Sequence, residues 1–226
     1  MTLTDMPRRR ALALAGPALL NWSPGIGASA DAGPDPAHAT ASFIREFADR
    51  AIAMLADPGA SPVERVDALR DLLRTGFDLD VTGRLVLGRY WRQASARQRA
   101  AYRQLFEDYI VATYGRRLGE YSGERLEVRG ARLEGERDAI VRSRVQTSNG
   151  RPPVGVDWRL RRSEDGWRII DVIVEGVSLA ITHRWEFAAV IAREGGIDGL
   201  LRALRNKTTA GNGQVAKKPE ATETGT

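Results

Sequence analysis

Hydrophobic residues recur every three to four positions in the first half of the chain, which indicates a series of amphipathic helices. The first run covers residues 42–55, and an Asp-Pro-Gly sequence at 57–59 ends it. Ser-Pro-Val-Glu at 61–64 is typical of a capping box with proline in the first turn, and it predicts a second helix that ends at Gly76. A short third helix is predicted over residues 81–87.

The longest helix is predicted to begin at a second capping box, Ser-Ala-Arg-Gln at 95–98. An aromatic and aliphatic stripe runs along it at helical spacing, and such a stripe is usually core. The stripe consists of Tyr102, Leu105, Phe106, Tyr109, Ile110 and Thr113.

After Gly119 the hydrophobic period shortens to two, which indicates β-strands with one apolar and one polar face. Four strands are predicted, around residues 126–128, 139–147, 154–160 and 167–174. The turn signals between them are those of antiparallel hairpins. The chain is therefore predicted to be α+β, with a four-stranded antiparallel sheet packed against α-helices on one face and enclosing an apolar pocket.

Residues 166–187 join the last strand to a helix. Glu175-Gly176 breaks the strand, and Ser178 is suited to cap the helix that follows, to about Arg193. The pair Gly195-Gly196 ends that helix, and a last amphipathic turn or two follows. Residues 206–226 lack large apolar groups, so we expect a disordered tail there.

The first 30 residues have the order of a cleaved export signal. Arg8-Arg9-Arg10 is a basic region, residues 11–20 are apolar, and Ala28-Ser29-Ala30 is a small-residue cleavage site. The arginines resemble a twin-arginine signal, while the ordinary Sec route stays open. We expect a flexible lead at 31–41 and one domain at 42–205.

The net charge of the chain indicates which classes of partner to expect. Cleavage after residue 30 would remove three arginines and one aspartate and lower the formal net charge from +5 to +3. This excess is small and spread over the surface, so nucleic acid is not expected as a ligand. A mildly basic exported protein can instead be attracted to anionic lipid surfaces or to acidic partners.

The catalytic side chains are few. The chain has no cysteine and two histidines, which excludes thiolate chemistry and leaves little for a metal site or a cofactor. Ser178 lies at a strand-to-helix turn, as in the nucleophile elbow of hydrolases. However, His183 follows on the same predicted helix and His38 lies in the flexible lead, so neither is placed to act as its base. Ser178 is better explained as a helix cap.

Asp171 is unusual because it falls within an apolar strand. The structural explanation is a hydrogen bond to a neighbouring arginine or tryptophan N–H. The functional alternative is a general base in a cone-shaped pocket, as in isomerases built from a curved sheet and helices. A third use of such a fold needs no reactive group, because unfilled volume between sheet and helices can hold an apolar ligand.

Over roughly residues 42–205 the chain resembles the MlaC, or toluene-tolerance, family of periplasmic lipid-binding proteins. The Glu-Gly-Val-Ser-Leu block at 175–179 after a Gly-Trp strand is the most specific match. The other matching stretches are 86–92, Gln98-Arg99, Thr113-Tyr114, 150–154, 166–172, Arg184 and Phe187. His183 and Trp185 have no clear counterpart in the family pattern.

The resemblance implies a monomeric periplasmic phospholipid carrier rather than an enzyme, without a cofactor. Its family partners are an inner-membrane ABC transporter with a ring of lipid-binding domains and an outer-membrane lipoprotein–porin complex, which together maintain outer-membrane lipid asymmetry. A hopanoid carrier of the same family is one alternative, and an isomerase that uses Asp171 is another.

We expect the acyl chains to contact residues on the apolar face of the sheet and on the facing helices. With an even-numbered hairpin loop, even positions of the third strand lie beside odd positions of the fourth, and one loop residue more would replace Ile169 and Ile173 by Ile170, Val172 and Val174. The predicted pocket residues are Leu87, Tyr90, Phe106, Tyr109, Val141, Val145, Val154, Val156, Trp158, Ile169, Ile173 and Val177.

Overall fold

The computed structural model describes residues 35–115, 123–147 and 150–215. Helices precede and follow a single antiparallel sheet, so the predicted α+β class is confirmed. The elements are α1 (Pro36–Ala56), α2 (Pro62–Gly76), α3 (Leu79–Leu87), α4 (Tyr90–Gln93), α5 (Ala96–Tyr114), β1 (Arg125–Glu134), β2 (Asp138–Gln146), β3 (Val154–Ser163), β4 (Gly166–Val174), β5 (Val177–Ser178), α6 (Leu179–Arg193) and α7 (Ile197–Val215). The predicted signal at 1–30 lies outside the described residues.

Three helices begin where their capping signals predict. The Ser61 hydroxyl accepts the Glu64 N–H at 3.3 Å, and the Ser95 hydroxyl accepts the Gln98 N–H at 3.2 Å. In both boxes the side chain of the third helical residue, Glu64 or Gln98, accepts the backbone N–H of the capping serine. Ser178 caps α6 by accepting the Ile181 N–H at 3.0 Å.

The two ends of the domain are more helical than the sequence predicts. Helix α1 begins at Pro36, inside the expected flexible lead at 31–41, because Asp35 accepts the Ala37 N–H and proline occupies the first turn. Helix α7 continues to Val215, so the expectation of a disordered tail from residue 206 is wrong for residues 206–215. The helix remains packed on the domain after its last large apolar residue, as the buried Thr208 indicates.

Within the described residues the sheet has five strands in sequential order, β1 to β5, and not the predicted four. The additional strand arises because Glu175 and Gly176 have positive φ angles of 48° and 79°, which form a two-residue turn and fold the chain back on β4. Glu175 is held in this conformation because its N–H donates to the Gly155 carbonyl at 2.9 Å and its carboxylate accepts the Gly155 N–H. A two-residue strand has no periodicity that a sequence pattern can reveal.

A β-bulge in β4 changes the expected register. Leu160 pairs with Ile169, but Trp158 pairs with Val172, so one residue of β4 is inserted between the two pairs. The predicted pairing of even β3 positions with odd β4 positions therefore holds beside the hairpin turn and fails beyond the bulge. Ile173, which was expected on the face of Trp158, pairs with Asp157 instead.

The buried residues form three clusters. One joins α1 to the sheet and includes Ile44, Phe47 and Leu160. A second joins α3, α5, α6 and α7, and a third joins α2 to α5. Within the described stretches, every helix is too short or too polar to cross a bilayer.

Candidate functional site

A cavity of about 250 Å³ lies between the sheet and the helices. Helix α2 and Phe77 form one side, and α3, α5 and α6 form the other. Helix α1 and strand β3 contribute one residue each, and β4 contributes two. The lining is hydrophobic except for Thr82, Tyr114, Asp171 and His183. The lining residues are Phe47, Leu69, Leu72, Leu73, Phe77, Leu79, Thr82, Val86, Phe106, Ile110, Tyr114, Trp158, Asp171, Val172, Leu179, Ala180 and His183.

Asp171 uses both carboxylate oxygens on protein donors. Oδ2 accepts the Ser178 hydroxyl at 2.6 Å, and Oδ1 accepts the Ala180 N–H at 3.0 Å. A carboxylate at a helix N-terminus is also favoured by the helix dipole. These hydrogen-bond partners differ from the expected arginine or tryptophan. The role of Asp171 is nevertheless structural, because its hydrogen bonds fix α6 to β4.

His183, which is buried, is the centre of a polar group between α5 and α6. Its Nδ1 lies 2.9 Å from Glu186 Oε2 and 3.2 Å from Tyr109 Oη, and its Nε2 lies 2.9 Å from Tyr114 Oη. With the hydrogen on Nδ1, the ring donates to Glu186 and accepts from Tyr114. Burial raises the pKa of the Tyr109 phenol, and the Glu186 carboxylate raises that pKa further.

The polar groups of the cavity wall are thus bonded to the protein. Thr82 completes the set, because its hydroxyl donates to the Ile170 carbonyl at 3.1 Å. Among the residues that the structure describes, no cluster of histidine and carboxylate side chains could hold a metal ion. The cavity is therefore suited to hydrocarbon, which needs no hydrogen-bonding partner.

Two predicted pocket residues, Phe106 and Trp158, line this cavity. Nine of the other ten predicted residues fall into three groups by location, and Val177 is described below. Leu87 and Tyr109 are buried in the helical cluster, with Tyr90 packed on it. Val141 and Ile169 are buried in the cluster between α1 and the sheet, and Val156 is also buried. Val145, Val154 and Ile173 are half-buried and lie outside the cavity lining.

Val177 corrects a specific expectation. It was expected to point between sheet and helices, but its side chain is 57% exposed because the turn at Glu175 places it on the edge strand β5. Lipid contact by the other predicted residues outside the lining remains a prediction.

Sequence reasoning missed the contribution of α2, whose Leu69, Leu72 and Leu73 line the cavity. Their apolar stripe was visible in the sequence. However, helical periodicity shows only that a face is covered, and it does not distinguish a packed face from the wall of a cavity.

Comparison with known proteins gives a consistent result. A sequence model described as "MlaC protein" matches residues 45–206, which include every residue that lines the cavity. The chain is 24% identical to the intermembrane phospholipid transport system binding protein MlaC of Haemophilus influenzae, over 62% of this chain and 69% of that protein. It is 26% identical to toluene tolerance protein ttg2D of Pseudomonas putida, over 73% of this chain and 74% of the relative.

A similar solved structure is the phospholipid-binding protein of Ralstonia solanacearum, determined in complex with a phospholipid. The TM-score is 0.67 at 25% sequence identity, and the alignment covers 78% of this chain and 98% of the other. The shared architecture thus extends over nearly the whole of a protein that holds a phospholipid.

Proposed function

Because this chain belongs to the MlaC protein family, we propose that it is a phospholipid carrier that buries acyl chains in the cavity between its sheet and helices. The observation that carries this proposal is the cavity wall, which is hydrophobic and whose few polar groups are bonded within the protein. The solved relative that holds a phospholipid supports the same ligand class.

The physical need for such a carrier is large. Each buried CH₂ group contributes about 0.8 kcal/mol, so a two-chain lipid leaves a bilayer very slowly without a protein that covers its chains. A carrier must also release its ligand, which favours contacts that are non-directional and numerous over specific bonds. The cavity described above offers contacts of this kind.

The cavity must widen for a complete phospholipid. Its volume of about 250 Å³ is below the roughly 300–1,000 Å³ that is typical of small-molecule sites. The two acyl chains therefore require the helices and the sheet to separate. We propose that α2 moves, because it contributes three leucines to the cavity wall. The ion pairs of Arg70 and Arg74 with Glu107, which link α2 to α5, oppose this movement.

The family resemblance supports a cellular location and a set of partners for this function. We propose that the chain is exported to the periplasm and passes lipid between an outer-membrane lipoprotein–porin complex and an inner-membrane ABC transporter, as a monomer. A hopanoid ligand is the alternative within the family. An isomerase that uses Asp171 finds less support, since both oxygens of that carboxylate are occupied by Ser178 and Ala180.

Solvent extraction followed by mass spectrometry tests the proposal. Protein purified from a bacterial periplasm without detergent should yield phospholipid in roughly stoichiometric amount. Delipidated protein should take up phospholipid from vesicles. A folded preparation that carries trace lipid and takes up none would contradict the carrier function.

A further inference from the structure

The surface formed by α3, α4 and the start of α5 is rich in arginine. Between residues 80 and 103 the chain has six arginines, and Asp80 is the only acidic residue. Asp80 forms ion pairs with Arg84 at 3.5 Å and with Arg103 at 2.9 Å. Asp80 is thus paired with two of the six arginines, so this stretch carries a large excess of positive charge.

Aromatic rings organise these arginines. The guanidinium groups of Arg84, Arg99 and Arg103 lie 5.2, 5.4 and 5.2 Å from the ring centroid of Trp91. Arg89 stacks on Tyr90 at 4.9 Å. Hydrogen bonds also hold two of these groups in place, because Arg99 donates to the Trp91 and Arg92 carbonyls and Arg89 donates to the Tyr90 hydroxyl. Each guanidinium has five N–H donors, so donors remain for a further acceptor, and the planar geometry of the group suits phosphate.

Helix α6 presents an exposed apolar face beside this surface. Trp185 is 72% exposed and Ile181 is 36% exposed, one helical turn apart. Ala189 and Ala192 continue the same face, and Val177, on the neighbouring strand β5, precedes it. A tryptophan this exposed is unusual, because burial of its ring is strongly favourable.

Arg184 connects the two features. Its Nε donates to the Leu85 carbonyl at 2.6 Å, and its side chain lies against Gly88 at the end of α3. Trp185 is the next residue, so the apolar face of α6 adjoins the side of the helix that packs on α3. We call the combination of Trp185, Ile181 and the arginines of residues 84–103 the Arg–Trp surface.

We propose that the Arg–Trp surface docks on an anionic lipid bilayer, with the Trp185 ring among the headgroups and the arginines on lipid phosphates. This inference rests on the proposed function, because it concerns how a lipid carrier reaches its source of lipid. Arginine and exposed tryptophan on one surface are the combination that interfacial proteins use: cations draw the protein to anionic lipid, and the amphipathic ring enters the interface.

The position of α6 favours a bilayer over an acidic protein. Leu179, Ala180 and His183 line the cavity from the first turns of this helix, while Ile181 and Trp185 face solvent from the same turns. A docked α6 would therefore lie between the membrane surface and the cavity. Attraction to acidic groups alone would account for the arginines but not for the exposed Trp185 and Ile181.

Co-sedimentation with vesicles tests the inference. Wild-type protein should bind vesicles of equimolar phosphatidylcholine and phosphatidylglycerol more tightly than vesicles of phosphatidylcholine alone, and less tightly in high salt. Trp185→Ser, and separately Arg89→Gln with Arg92→Gln, should each weaken binding to the anionic vesicles by roughly tenfold. Circular dichroism and lipid content should match the wild type, since none of these residues lines the cavity.

Two controls are matched in chemistry. Arg129→Gln with Arg132→Gln lowers the net charge equally, but removes arginines that pair with Glu127 and Glu134 on β1. Val63→Ser removes another exposed hydrophobic side chain, which is 62% exposed on α2. Both should bind vesicles as the wild type does.

Several outcomes would overturn the inference. They are no preference of the wild type for anionic vesicles, an equal loss in the control variants, or capture by immobilised polyglutamate without vesicle binding, which would indicate an acidic protein partner. Protein that binds vesicles through these residues but retains no lipid would support the docking surface and contradict the carrier function instead.

Discussion

The hydroxyl of Ser178 donates a 2.6 Å hydrogen bond to Oδ2 of Asp171, and this bond ties the first turn of α6 to β4. The same hydroxyl oxygen accepts the Ile181 N–H, so one serine both caps the helix and anchors it to the sheet. Because Leu179 and Ala180 line the cavity directly after this cap, the pair sets the position of one cavity wall.

Asp171→Asn should lower stability without abolishing lipid binding. An amide can accept the Ala180 N–H, but it cannot accept the Ser178 hydroxyl at its other position, and the charge at the helix N-terminus is lost. We expect the free energy of unfolding to fall by about 1–2 kcal/mol, measured by urea denaturation. Asp157→Asn, on the neighbouring β3, should have little effect. Loss of lipid at unchanged stability would indicate that Asp171 acts on a ligand.

Val172 and Val177 offer a matched pair on one hairpin. Val172 lines the cavity beside Trp158, whereas Val177 is exposed on β5. Val172→Glu places a carboxylate where acyl chains are expected, at a cost of several kcal/mol unless it protonates or water enters. We expect Val172→Glu to lose its copurified lipid and Val177→Glu to retain it, as measured by extraction and mass spectrometry.

An uncharged variant separates loss of binding from loss of folding. Ala180→Leu adds volume to the cavity wall and keeps the backbone N–H that Asp171 accepts. It should reduce lipid content while circular dichroism remains that of the wild type. Full lipid content in both Val172→Glu and Ala180→Leu would place the ligand outside this cavity.

The elements of this fold follow from local signals, whereas the site depends on register and packing. The capping boxes at Ser61 and Ser95 and the cap at Ser178 act within one helical turn, so the sequence predicts them correctly. The bulge in β4 is not local: it moves Val172 opposite Trp158 and thereby decides which side chains face the helices. Alternation alone carries no signal for an inserted residue.

The cavity forms where side chains of the sheet and the helices leave volume unfilled. Phe106 and Trp158 were predicted on aromatic content and strand parity, and both line it. Val141 and Ile169 have the same pattern but are completely buried against α1. An inward-facing residue contacts either another side chain or unfilled volume, depending on where helices that are remote in sequence pack on the sheet. Hydrophobic periodicity gives no information about that packing.

Glu107 should make stability dependent on pH in the acid range. It forms ion pairs with Arg70 at 2.6 Å and with Arg74 at 2.9 Å, which link α2 to α5. Burial raises the pKa of Glu107, but the hydrogen bonds from the two arginines outweigh burial and hold that pKa below its ordinary value of 4.5. The folded state therefore binds the proton less tightly than the unfolded state, so the stabilisation is complete above pH 4.5 and is lost as the pH falls through the folded pKa.

Glu107→Gln should accordingly destabilise the protein by about 1–2 kcal/mol at neutral pH, and the difference from wild type should shrink below the ordinary carboxyl pKa. Urea denaturation at several pH values measures this difference. Glu46→Gln, at an exposed position of α1, should show a small difference that is independent of pH. A constant difference between wild type and Glu107→Gln across the acid range would mean that the ion pairs contribute nothing through charge.

The end of α7 should contribute to stability although its sequence is polar. Lys207 Nζ lies 4.7 Å from the ring centroid of Tyr109, and Thr208 is 8% exposed. A chain that ends at Asn206 loses this cation–π contact and the buried threonine, so its melting temperature should fall by roughly 5 °C. A chain that ends at Val215 keeps both contacts and should melt as the full chain does. Equal melting of all three would show that the helix beyond Asn206 adds no stability, since polar residues stabilise a domain only where their contacts exceed the entropy lost on ordering.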